Sequence, residues 1–176
     1  MKTLYRLTCL WFLLGGFVCV LLNGYNPART ISMIIGDTFT TIWIFRIATL
    51  PFALVLSVSL ALIAKKFKSK LFVLASLVPG LCLAMVALFP HTDKAALNTK
   101  VHLFFAWTLM FSLLALFALY AVLSKYHSWY FSPFVLVSVL CILALLVGFF
   151  RPYIYWFESF YMTSFFYEVD RWLNRF

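Results

Sequence analysis

His91, Asp93 and His102 are the residues of this chain whose types could do chemistry together. Two imidazoles and a carboxylate can hold a zinc ion with a position left for water, or share a proton transfer as general acid and general base. All three fall in FPHTDKAALNTKVHLFFAW, Phe89 to Trp107, between two long apolar runs. Pro90 ends the first run. Asn98 or Thr99 is placed to cap the next helix, which puts His102 about one turn inside it. The three side chains are therefore expected to meet. Their spacing matches no known zinc signature, HExxH is absent and no serine sits in a GxSxG turn. No residue is assigned a catalytic or metal-binding role, and no cofactor is expected. A haem would need a second axial ligand at matching depth; His127, 25 residues beyond His102, lies ~37 Å away along a helix.

The elements that must position these groups follow from solvent. Of 176 residues 65% are hydrophobic and 11% charged, with a mean hydropathy of +1.03, whereas soluble domains carry about 25% charged residues. Leu71 to Phe89 is 19 uncharged residues and Val101 to Leu123 is 23 residues, each long enough to cross ~30 Å of hydrocarbon at ~1.5 Å per residue. The expected fold is an all-α integral membrane protein, one domain over 1–176, with six spans at about 4–22, 42–64, 71–89, 101–123, 133–150 and 153–170. Little chain is left for a separate soluble catalytic domain. Cys9, Cys19, Cys82 and Cys141 lie inside the apolar runs without CxxC spacing and read as packing residues.

The first run begins with Lys2 and Arg6 like a signal peptide but lacks a small-x-small cleavage site, which favours a retained first helix. Asn23 to Thr41 is the longest connection, and its ISMII is too short to span. Arg46 sits about one turn inside the second span, where it must snorkel or pair; Asp37 is its expected partner, with Glu158 the alternative. Pro79-Gly80 should kink the third span or admit a neighbouring helix. The last segment, Tyr153 to Phe176, has eleven aromatics in 24 residues but also Glu158, Glu168, Asp170, Arg171 and Arg175. It is either a short sixth span or an aromatic helix lying in the membrane plane; the lack of a clean one-sided stripe favours the span.

Net charge of +9 arises from Lys and Arg bordering apolar runs, a topology signal and not a nucleic-acid footprint. With six spans, one face holds nine basic residues, among them Lys65, Lys66, Lys68 and Lys70, which are expected to touch anionic lipid headgroups; the other face holds five. The positive-inside rule puts both termini in the cytoplasm. Asp37, Arg46, His91, Asp93, His102, Arg151 and Glu158 then gather toward the outer face as a candidate polar cluster.

Two motifs carry a resemblance. ISMIIGDTFTTIWIFR, with Ser-x-x-x-Gly before a helix bearing Trp and Arg at its start, and ALFPHTDKAALNTKVHLFFAW, with Phe-Pro, a polar loop and a helical His, resemble the prokaryotic domain-of-unknown-function 998 family. That family is similar to the Frag and DRAM membrane proteins. The resemblance implies six helices, no established enzymatic activity and a distant link to membrane lipid handling, with Phe89, Pro90 and His102 as the positions carried over.

Three function classes remain open on the sequence. The first is a non-enzymatic protein of the plasma membrane of a bacterium: a lipid-interacting scaffold, accessory subunit or sensor whose partners are membrane lipids and another subunit or a second copy, with no nucleic acid. The second is a small-solute or proton transporter using Arg46 and Glu158 with helices broken at Pro51 and Pro79. The third is an outer-leaflet lipid-modifying, metal-dependent enzyme using His91, Asp93 and His102.

Overall fold

A computed structural model describes residues 1–92, 97–125, 132–147 and 153–175, with the side chain of Leu145 left aside. Asp93, Lys94, His127 and Arg151 lie outside the described residues. Among the described residues every regular element is a helix: α1 (Lys2–Asn23), α2 (Ile31–Ile35), α3 (Phe39–Lys66), α4 (Lys70–Leu88), α5 (Leu97–Leu123), α6 (Pro133–Leu146) and α7 (Ile154–Arg175). Side chains set several helix starts. Thr38 accepts from the Thr41 N–H at 3.3 Å, Ser69 from Phe72 at 3.2 Å and Ser132 from Phe134 at 3.2 Å, meeting part of the demand of the free N–H groups at a helix start.

α1, α3, α4 and α5 are long and apolar enough to cross a membrane. α6 has 14 residues and is shorter. α5 is already helical at Leu97, four positions before the expected Val101, so Asn98 and Thr99 lie inside the helix with His102.

Successive long helices reverse direction, so the bundle has two ends. Lys2, the α3–α4 turn and the end of α5 share one: the Phe67 ring packs on Tyr120 at 5.6 Å, and Tyr120 stacks on Trp172 of α7 at 4.0 Å. α2 lies at the other. α7 runs antiparallel to α1, with contacts toward both ends of the pair. Near the start of α1 the Tyr5 hydroxyl donates to the Phe166 carbonyl at 3.0 Å, and Arg6 grips Asp170 through two bonds of 2.7 and 3.0 Å. Just past the end of α1, the Tyr155 N–H donates to the Pro27 carbonyl at 3.2 Å. The absence of a one-sided stripe on α7, expected from the sequence, is overturned. Tyr161, Phe165, Phe166, Val169, Trp172 and Leu173 recur at helical spacing and are all buried. The charges that interrupt the apolar pattern are what obscured that stripe.

The core is aromatic and aliphatic: Phe52, Leu56 and Leu60 of α3, Phe72 of α4, Leu113 of α5, Phe134 of α6 and Phe165 and Trp172 of α7 are each at most 1% exposed. Both prolines sit inside continuous helices. Pro51 cannot donate to the Ile47 carbonyl four residues back, and the Trp11 indole of α1 reaches that carbonyl at 3.4 Å. Gly80 permits the close approach of α4 to α3, since a methyl there would overlap the Ser57 hydroxyl and the Ala53 carbonyl. Gly80→Ala is expected to cost about 1–3 kcal/mol through overpacking, read as a lower unfolding temperature in detergent. Combining it with Ser57→Ala should recover part of that loss. An unchanged unfolding temperature in Gly80→Ala would show that the two backbones do not need to touch.

Candidate functional site

The polar residues of the second end are organised around α2, a helix of five residues. So short a helix has almost no internal hydrogen bonds, so nearly all of its backbone must be satisfied from outside. At its start, the Thr30 hydroxyl accepts from the Met33 N–H at 3.1 Å, and Glu158 of α7 accepts from the Ile31 N–H at 2.9 Å. A carboxylate at the positive end of a helix is also electrostatically favourable. At its end, each of the last four carbonyls has a donor. Gly36 N–H serves Ser32 at 3.1 Å, Arg29 serves Met33 at 2.8 Å, Asn23 serves Ile34 at 2.6 Å and Thr41 serves Ile35 at 2.7 Å. Asn23 ends α1 and Thr41 begins α3, so one small helix ties α1, α3 and α7 together. Ile34 and Ile35 are at most 3% exposed, which fixes the helix as a plug in the bundle end.

Gly36 closes that plug against the segment after α4. A side chain at Gly36 would collide with the His91 carbonyl, so a glycine is required for the contact. Arg29 and Asp37 form a two-bond ion pair at 2.6 and 2.7 Å on the rim, each side chain about one-third exposed. The expected Arg46–Asp37 pair is therefore corrected: Asp37 is taken by Arg29, and Glu158 by the α2 backbone. Asp37 meets an arginine eight residues away in the same connection, and Glu158 meets the free N–H at the start of α2, which leaves neither carboxylate for Arg46.

Arg46 instead reaches across to α4. Its Nε donates to the Ala87 carbonyl at 3.2 Å and its Nη2 to Leu88 at 3.0 Å, while the guanidinium lies 5.0 Å above the Trp43 ring. His102 of α5 completes the same task, its Nδ1 facing the Phe89 carbonyl at 2.7 Å and the Val86 carbonyl at 3.2 Å. Four consecutive carbonyls, Val86 to Phe89, thus end on two side chains. They need this because Pro90 has no N–H to return to Val86. A cation against the negative end of α4 adds a favourable helix-dipole term, and the indole face below Arg46 adds a cation–π contact.

The geometry also fixes the state of His102. A carbonyl only accepts, so Nδ1 carries the proton, and in the neutral ring Nε2 carries the lone pair. Nε2 is buried and has no hydrogen-bond partner among the described residues. The His91 and His102 rings do come together, with centroids 5.6 Å apart and planes inclined by 46°. Beside them is a cavity of about 10 Å³ lined in part by Ser32, Ile35, Pro90 and His102, the size of a single water. Among the described residues no three of His, Cys, Asp and Glu gather at metal-ligand distance; Asp93, the third member of the expected set, lies outside them. The four cysteines are free thiols, Cys19 and Cys82 buried and Cys9 and Cys141 half-buried.

At the first end Lys65, Lys66, Lys68 and Lys70 are all exposed, around a turn in which the Phe67 ring is folded inward onto Phe72 and Tyr120. Sequence reasoning missed Asn23, Thr41 and Arg29 as members of the α2 assembly. Counting the carbonyls that a five-residue helix leaves open would have called for such donors. No protein-family model, curated protein or solved structure matches the chain.

Proposed function

We propose that the chain is a six-span, non-enzymatic protein of a bacterial plasma membrane that acts through lipid and protein contacts, as an accessory subunit or sensor. Its place in the prokaryotic domain-of-unknown-function 998 family belongs to the same proposal. One observation carries the reading: four of the described groups that could have formed an active site are engaged in structural bonds. Arg46 and the Nδ1 atom of His102 finish α4, Glu158 begins α2, and Asp37 neutralises Arg29. In hydrocarbon a free backbone carbonyl costs several kcal/mol, so side chains committed to it are structural fixtures.

Apolar residues cover the sides of the bundle, with Leu54, Leu74 and Val122 each at least two-thirds exposed, as a lipid-facing surface requires. We count α7 as the sixth span because its ends coincide with the two ends of α1 and its buried Glu168 is met by Ser132 and Arg171. Tyr5 buried against Phe52 and Phe166 supports a retained first helix. Among the described residues, nine basic side chains at the end bearing both termini, against three at the α2 end, support setting the α2 end outside.

Orientation is the test. In a background lacking the native cysteines, Ala28→Cys at the α2 end is expected to react with an impermeant thiol reagent in intact cells, and Lys66→Cys only after lysis. The reverse pattern would move the α2 assembly to the cytoplasm, and reaction of both in intact cells would overturn the membrane topology altogether.

A further inference from the structure

We infer that the groove between α5 and α6 holds one acyl chain of an anionic phospholipid of the cytoplasmic leaflet, with the lipid phosphate at Lys125. The inference deepens the reading above and rests on its placing the bundle in a membrane. The groove has a volume of about 580 Å³, inside the ~300–1,000 Å³ range of ligand sites. Its walls are Leu114 and Ala121 of α5 facing Val135, Val139 and Ile142 of α6, and Lys125 stands at its mouth. α6 is anchored chiefly to α7 and α5 chiefly to α4, so the two helices that face each other across the groove are left apart.

Length and charge choose the occupant. From Lys125 the α5 wall runs inward to Leu114, ~16 Å at 1.5 Å per residue. That is about half of a ~30 Å hydrocarbon core, the depth of one leaflet. Small side chains at Ala118 and Ala121 open the α5 wall to a chain lying along the helix. Among the described residues the one titratable side chain lining the groove is cationic and sits where a headgroup phosphate would be. Lys65, Lys66, Lys68 and Lys70 share that end of the bundle and raise the local concentration of anionic lipid. A phospholipid satisfies both the apolar wall and the cation at its mouth.

The full chain, purified in mild detergent and depleted of lipid, is titrated with phosphatidylglycerol or phosphatidylcholine, with bound lipid counted by native mass spectrometry. The wild type is expected to retain phosphatidylglycerol in preference to phosphatidylcholine. Lys125→Gln should lower phosphatidylglycerol retention about fivefold, the worth of one lysine at a lipid surface, and lower phosphatidylcholine less, because the choline cation offsets the charge of its phosphate. Ala121→Phe should abolish retention of both by filling the groove. Val139→Phe does the same from the opposite wall and stands in if Ala121→Phe fails to fold. Equal losses in Lys125→Gln and Lys68→Gln, or wild-type retention in either phenylalanine variant, would overturn the groove while leaving the membrane topology to stand or fall by cysteine labelling. Equal binding of the two lipids by the wild type would overturn the assignment of the phosphate to Lys125.

Discussion

His102→Asn is expected to unfold close to the wild type, while His102→Gln and His102→Leu unfold at distinctly lower temperature in detergent. The ordering follows from where the donor sits. An asparagine Nδ2 occupies nearly the position of the imidazole Nδ1 and can still donate to the Phe89 carbonyl, now 2.7 Å from the ring. The glutamine amide reaches one bond too far, and leucine has no donor. Leaving the part-buried Phe89 and buried Val86 carbonyls unpaired costs about 1–3 kcal/mol each, in surroundings where His102 is 2% exposed. A ligand role predicts another ranking: with His102 binding a metal or substrate through Nε2, the asparagine variant would lose that function even while stably folded. A low unfolding temperature shared by all three variants would show that ring volume matters more than the carbonyl cap.

The same residue shows how far the sequence could be read. Hydropathy marks segments 4–22, 42–64, 71–89 and 101–123, which match α1, α3, α4 and α5 with 71–89 running one residue past the end of α4, because unbroken apolar runs have few folded alternatives. The meeting of His91 and His102 was also legible, from a proline-terminated helix and a short return. What the sequence hid was the acceptors. Arg46 was matched to Asp37 by charge, yet the carbonyls that claim it belong to Ala87 and Leu88, 41 and 42 residues away. Backbone carbonyls are the same at every position and leave no mark in a residue pattern. Only the count of groups left open beside Pro90 and around a five-residue α2 points to them. The charged tail of α7 was misleading for a related reason: Glu168 and Asp170 interrupt an apolar pattern, but each is met by a cation or hydroxyl that arrives from elsewhere.

Arg171→Ala is the substitution with the largest expected effect at the opposite end. Glu168 is 1% exposed and its carboxylate accepts from the Ser132 hydroxyl at 2.7 Å and from Arg171 at 3.0 Å. Ser132 in turn accepts from the Phe134 N–H at the start of α6, so the carboxylate joins α6 to α7 where Phe134, Phe165 and Trp172 pack. Removing one member of a buried pair costs about 3–5 kcal/mol because a charge is left in a dry site. The Arg171 side chain is 32% exposed, so solvent relieves part of that cost and about 2 kcal/mol is expected. Arg171→Ala combined with Glu168→Gln should be more stable than Arg171→Ala alone. The neutral amide oxygen can still accept from Ser132, and no charge remains to be solvated. Thermal unfolding of the two singles and the double in one detergent closes the cycle. If Glu168→Gln gives no relief in the Arg171→Ala background, water already reaches the carboxylate, and α6 is held to α7 by its aromatic contacts alone.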